Sequence, residues 1–212
     1  MLRYAITSRA SFPGDESTQR SALLEQVANL AAQGIDYLQL REKDLGAGDL
    51  AALARQVLAI LRDYPDRPRL LINSRADIAI AVGADGVHLT SAPGSLTPSQ
   101  IRELYATANL PAPIVSVSCH TLADVTRARE NATTLILFGP VFEKVVANEL
   151  ISTGSGLDLL QKASALAAPT PVLALGGVTL ANTAACLTAG AAGIAAIRLF
   201  AAFPLTPEAT PP

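Results

Sequence analysis

The sequence predicts a single-domain α/β protein of the (β/α)8 (TIM) barrel class, and three observations predict it. Short runs rich in Val, Ile and Leu alternate along the chain with longer segments of helical periodicity. The runs number eight. Dividing 212 residues by eight leaves about 26 per unit, enough for a strand, a helix and two loops, at the small end of the range for such barrels. The runs are Leu2–Thr7, Ile35–Leu40, Arg69–Asn73, Gly86–Leu89, Ile114–Ser118, Thr134–Phe138, Val172–Leu175 and Gly193–Ile197. Continuous apolar runs of this length suit parallel strands covered on both faces, and strands alternating with helices imply right-handed crossovers. An open sheet of six or seven strands is the alternative.

The helical segments justify themselves in turn. Thr18–Gln33 places Leu23, Val27, Leu30 and Ala31 on one face, and Asp49–Arg62 repeats this with Leu50, Leu53, Ala54, Val57, Leu58 and Leu61. Asp49, after a Gly-Ala-Gly turn, is read as that helix's N-cap. A short helix over Ala76–Val82 fits between the third and fourth runs. Thr97-Pro98 opens another with a capping Thr and Pro in the first turn. Ser155–Ala167 and Thr179–Ala189 follow, the latter ended by Gly190. The domain is expected over 1–203, with the proline-rich tail 204–212 expected to be disordered.

Composition narrows the function. Half the residues are apolar; 16 Lys+Arg stand against 18 Asp+Glu, a net charge of −2, and charged residues make up 16% of the chain, against about 25% in a typical domain. Intrinsic disorder is excluded. Nucleic acid is not expected as a partner, because no basic cluster exists to neutralise phosphates. The 39 alanines and the absence of Trp favour close helix packing over base stacking. Cys119 and Cys186 lie far apart and read as reduced, buried thiols. The most apolar stretch, Ala189–Phe203, is interrupted by Arg198 and shorter than the roughly 20 residues of a membrane span, and no signal peptide is seen. A cytoplasmic protein with no membrane partner is expected. Its sparse charge makes a homo-oligomer conceivable.

In such barrels the site lies where the strands end and the loops to the helices begin. After the second run, Gln39, Arg41 and Lys43 alternate with Leu40 and Glu42, so period two points the former three one way. Two cations and an amide in a barrel mouth suggest an anionic ligand; the alternative pairs Arg41 and Lys43 with Glu42 or Asp44 at the surface. Asn73-Ser74-Arg75 ends the third run. Ser118-Cys119-His120-Thr121 ends the fifth, where His120 is a candidate general acid/base. His88 is read mainly as packing. After the seventh run, Gly176-Gly177 faces the end of the eighth, Ile197-Arg198, in the arrangement of the phosphate site recurrent in this fold, with Gly expected there because a side chain would fill the phosphate's volume.

Six segments in order, Gln39-Leu40-Arg41-Glu42-Lys43, Ile72-Asn73 with Asp77-Ile78-Ala79, Gly86-Val87-His88-Leu89, Val117-Ser118-Cys119-His120-Thr121, Phe138-Gly139-Pro140-Val141-Phe142 and Ala174-Leu175-Gly176-Gly177-Val178, resemble the thiamine phosphate synthase family. That family includes a thiazole tautomerase (TenI-type) branch. The resemblance spans Leu2 to about Arg198. It implies that Gln39, Arg41, Lys43 and Asn73 contact an aminopyrimidine and its diphosphate, that Ser118 lies near the reacting centre, and that Gly177 with the Ile197–Arg198 backbone holds a thiazole phosphate.

The departures are as informative. Synthases have an acidic magnesium ligand directly after the asparagine, where this chain has Ser74. They have a second one after the His-Leu motif, where Thr90-Ser91-Ala92-Pro93-Gly94 stands. Their Thr-x-Thr-Lys pyrophosphate loop is replaced by Glu143-Lys144-Val145-Val146-Ala147-Asn148. Mg2+ needs hard oxygen ligands, usually including a carboxylate. The tautomerase branch, as the resemblance implies, moves a proton on a carboxylated thiazole phosphate without metal. His120 matches its proton-carrying histidine, and Phe142-Glu143 resembles that branch. The basic, glycine-rich continuation usual there is replaced by Asn148–Gly156. The expectation is therefore a tautomerase-like isomerase with His120 and Ser118 catalytic and no metal. A diverged synthase, which would use Mg2+ and also take aminopyrimidine diphosphate, and a non-catalytic phosphate-binding paralogue are the alternatives.

Overall fold

The computed structural model describes residues 1–92, 94–146 and 149–201. Eight strands, β1 (Leu2–Ile6), β2 (Tyr37–Leu40), β3 (Arg69–Asn73), β4 (Gly86–Thr90), β5 (Ile114–Cys119), β6 (Leu135–Phe138), β9 (Val172–Leu175) and β10 (Gly193–Ala196), coincide with the eight apolar runs to within two residues at either end. They pair in parallel, each with its sequence neighbour in the barrel, and β10 closes the cylinder on β1. The open-sheet alternative is excluded. The helices around it are α1 (Glu16–Ala32), α2 (Ala47–Leu61), α3 (Ala76–Val82), α4 (Pro98–Thr107), α5 (Leu122–Glu130), α6 (Gly156–Ala167), α7 (Leu180–Thr188) and the single turn α8 (Arg198–Ala201).

Local chemistry fixes the helix starts. Thr97, Thr121 and Thr179 each close a capping box with the residue three positions on, Gln100, Asp124 and Asn182, satisfying two otherwise unpaired N–H groups. Gly190 follows α7 at φ +87°, the left-handed geometry expected past a helix end. Asp49 is not a cap. Helix α2 begins two residues earlier behind Gly46, which places Asp49 in the first turn, where its charge still complements the helix dipole. The segment after β6 holds an antiparallel hairpin, β7 (Lys144–Val146) and β8 (Glu149–Ser152), where the sequence suggested only a loop. The tail 204–212 lies outside the described residues.

Period-two alternation builds two cores from the same strands. Tyr4, Ile6, Leu71, Leu135, Leu137, Leu173 and Ala195 fill the barrel interior. Their neighbours Ala5, Leu38, Leu70, Val87, Val115, Ile136, Val172 and Ile194 face outward to the helices, and each buried Leu or Ile there contributes roughly 1.5–3 kcal/mol. Alanines such as Ala54, Ala79, Ala163 and Ala167 are fully buried on helix faces, letting backbones approach closely. Cys119 and Cys186 are free and buried. Among the described residues no helix is long and apolar enough to cross a membrane.

Candidate active site

A cavity of about 500 Å³ opens at the C-terminal ends of the barrel strands, and Gln39, Arg41, Lys43, Asn73, Ser118, His120 and Ile197 all line it. The alternation at the end of β2 therefore holds: every second residue turns into the mouth. Of the remaining candidates, Gly176, Gly177 and Arg198 stand next to lining residues Leu175 and Ile197 without themselves lining the cavity.

What frees the two cations is a buried clamp beneath them. Glu42, turned the other way, accepts from Thr7 Oγ1 at 2.6 Å and from the Arg9 backbone N–H at 3.1 Å. The Arg9 guanidinium, itself 4% exposed, bonds Glu42 at 3.2 Å and Asp44 at 2.8 and 2.6 Å. Thr7 Oγ1 in turn accepts from the Arg41 backbone N–H at 3.0 Å. Both acids after β2 are thus taken by Arg9, and among the described residues no ion pair engages Arg41 or Lys43. The surface-pairing alternative for these cations fails.

Gln39 Nε2 donates to Asn73 Oδ1 at 2.8 Å, while the buried Gln39 Oε1 has no partner among the described residues. A buried acceptor left unpaired carries a desolvation cost that a ligand donor would remove. Ser74 adopts φ +56°, a region uncommon for a residue with a Cβ, and its N–H donates to the His88 carbonyl at 2.8 Å.

His88 does more than pack. Its Nδ1 lies 2.8 Å from Ser116 Oγ and its Nε2 2.9 Å from Ser118 Oγ, and it lines the cavity itself. Burial, followed by the charge of Arg41, pushes the imidazole down to about 3, so it is neutral at physiological pH. His88 stands two residues before Thr90 on β4 and pairs in register with Ser116 on β5, a neighbour that no local sequence pattern reveals.

His120 is held at the entrance of α5. Its backbone N–H and that of Thr121 both donate to Asp124 Oδ2, at 3.1 and 3.0 Å. Its ring Nδ1 bonds the Gly139 carbonyl. A carbonyl only accepts, so Nδ1 carries a hydrogen, and in the neutral ring the lone pair falls on Nε2.

The paired glycines have a packing reason. Gly176 and Gly177 sit at φ +89° and +64°, and a Cβ on them would come within 2.5 Å of Pro140 Cα and 2.7 Å of Phe142 Cβ. The loop after β6 therefore fills the space a Cβ would take, so packing alone requires glycine at both positions.

The positions where synthases carry magnesium ligands do face the cavity, as Ser74, Thr90, Ser91 and Ala92. They offer hydroxyls and a methyl. Among the described residues no group of three His, Cys, Asp or Glu side chains could hold a metal ion. This donor set does not fit a resident Mg2+.

The family model described as thiamine monophosphate synthase matches residues 4–200. A protein of Geobacter sulfurreducens, provisionally named thiamine-phosphate synthase, is 39% identical over 95% of this chain and 87% of its own length. A thiamine-phosphate synthase of Roseiflexus is 32% identical over 97% of this chain and 80% of its own. Among solved structures, a thiamine phosphate pyrophosphorylase from Pyrococcus furiosus superposes with a TM-score of 0.72 at 26% identity, covering 92% of this chain and 85% of that one. By name these relatives favour the coupling activity over the isomerase expected from the sequence. With its closed eight-stranded barrel and this spread of matches, the chain belongs to the thiamine phosphate synthase/TenI family.

Proposed function

We propose that this member of the family is a metal-independent isomerase acting on a carboxylated, not yet aromatic thiazole phosphate. The single observation that carries the proposal is His120, whose Nδ1–H is committed to the Gly139 carbonyl, which leaves Nε2 as the ring nitrogen available for proton transfer in a cavity with cations but no described carboxylate. Nε2 takes a proton from one carbon of the substrate, and the resulting imidazolium returns it at another, so no atom is gained or lost. Arg41 and Lys43, without an ion pair among the described residues, hold the substrate carboxylate. The Gly176–Gly177 and Ile197–Arg198 backbones hold the phosphate.

A second reading, the coupling of an aminopyrimidine diphosphate to a thiazole phosphate, is favoured by the names of the relatives and by the unpaired Gln39 Oε1, which suits an exocyclic amine. Against it stands the absence of magnesium-type ligands at Ser74 and Thr90–Ala92. His120→Asn separates the two. It should slow isomerisation about 100-fold or more, the usual loss for a removed general base, with the Kd for thiazole phosphate within about twofold of wild type. Unchanged turnover would return His120 to a structural role.

A further inference from the structure

We infer that Tyr4, Ser116 and His88 form a one-way hydrogen-bond relay through the barrel interior that makes Ser118 a fixed hydrogen-bond donor to the ligand, with Tyr4 and Ser116 as positioning residues. The chain of contacts is Tyr4 Oη to Ser116 Oγ at 3.0 Å, Ser116 Oγ to His88 Nδ1 at 2.8 Å, and His88 Nε2 to Ser118 Oγ at 2.9 Å. Its members come from β1, β5 and β4, and Tyr4, Ser116 and His88 are all buried.

Counting hydrogens fixes the direction. Tyr4 is fully buried, and among the described residues its hydroxyl has only Ser116 Oγ as partner. If Tyr4 donates, Ser116 spends its single hydrogen on His88 Nδ1. Nδ1 is then an acceptor, the ring hydrogen sits on Nε2, and Nε2–H donates to Ser118 Oγ. Every buried hydrogen has an acceptor, and Ser118 keeps its own hydroxyl hydrogen for the cavity. The reverse arrangement runs Ser118 to Nε2 and Nδ1–H to Ser116, and strands one buried hydroxyl hydrogen, that of Ser116 if Tyr4 donates to it or that of Tyr4 if Ser116 donates instead. Such an orphan costs about 1–3 kcal/mol, so the first arrangement wins. The neutral state of His88, set by its burial, is the state this relay requires.

A serine 2.9 Å from a histidine resembles a nucleophile beside its base. Here the polarity is opposite. His88 donates to Ser118 and cannot take its proton, so Ser118 is neither a nucleophile nor an activated base. Its hydroxyl hydrogen, in a cavity shared with Arg41 and Lys43, meets an anionic oxygen or a ring lone pair of the ligand. This assignment does not depend on which reaction the site performs.

The test is the 15N NMR signature of the His88 ring in the whole, ligand-free chain. The relay predicts a protonated-type Nε2 and a bare-type Nδ1; the converse pattern overturns it. Ser116→Ala removes the donor that pins Nδ1, so the Nδ1–H form should become populated; an unchanged tautomer would overturn the positioning role of Ser116. Tyr4→Phe should leave Nε2–H dominant, because Ser116 then heads the relay and its own hydrogen would be orphaned by reversal; a switch to Nδ1–H would contradict the hydrogen count. A serine-directed fluorophosphonate gives an independent reading. No adduct at Ser118 is expected by mass spectrometry, and an adduct there would overturn the donor assignment.

Discussion

Removing Arg9 tests the clamp beneath the binding loop most sharply. The Arg9 and Glu42 side chains are 5% and 3% exposed, whereas the other acids on Arg9, Asp44 and Glu16, are 70% and 58% exposed. The exposed pairs are worth about 0–1 kcal/mol each. The buried pair is different, because Arg9→Met leaves the Glu42 carboxylate in the interior with only Thr7 and one backbone N–H, and stranding a buried partner costs about 3–5 kcal/mol. Arg9→Met should therefore destabilise by about that amount. Glu42→Gln strands Arg9 less severely, since Asp44 and Glu16 remain. In the double variant neither charge is stranded, so its cost should fall short of the sum by about 1–3 kcal/mol, the coupling of residues in one network. Urea midpoints of the four proteins give the cycle. Additivity within about 0.5 kcal/mol would refute the clamp, and with it the reason Arg41 and Lys43 stay free.

Two further outcomes follow from the same geometry. Gly177→Ala places a Cβ 2.7 Å from Phe142 Cβ at φ +64° and should lower stability by about 1–3 kcal/mol through backbone strain; a thermal melt matching wild type would show that the glycine is dispensable to the fold. Acid should weaken the protein through His88. Its folded pKa is about 3 and its unfolded value about 6.5, so between these the unfolded chain binds more protons and stability rises with pH. Going from pH 7 to pH 5 should cost roughly 2 kcal/mol, read from urea midpoints, and His88→Gln should flatten that slope; an equally steep slope in the variant would assign the acid sensitivity elsewhere.

The barrel was legible because its strands are buried on both faces and so stand out as apolar runs, and because Gln39, Arg41 and Lys43 obey the strand period. What binds them was not. The partner of Glu42 is Arg9, 33 residues earlier, and those of His88 are 28 and 30 residues later. Such pairs depend on the register of neighbouring parallel strands, which no local pattern encodes. His88 therefore looked like packing, and for Glu42 the strand period gave only a side chain turned toward the helices. The glycine pair was placed correctly after β9 but for an incomplete reason, since the loop that packs on it follows β6. The hairpin Lys144–Val146 and Glu149–Ser152 escaped because its short strands lack a long apolar run.

Proton transfer without a metal is what sets this chain apart from a coupling enzyme. The most direct measurement incubates the purified protein with the carboxylated, unaromatised thiazole phosphate in the presence of a chelator, and in parallel with aminopyrimidine diphosphate, thiazole phosphate and Mg2+. The expected result is aromatisation of the first substrate that chelation does not slow, and no thiamine phosphate from the second pair above the uncatalysed rate. Thiamine phosphate forming at an enzymatic, Mg2+-dependent rate, with the first substrate untouched, would contradict it.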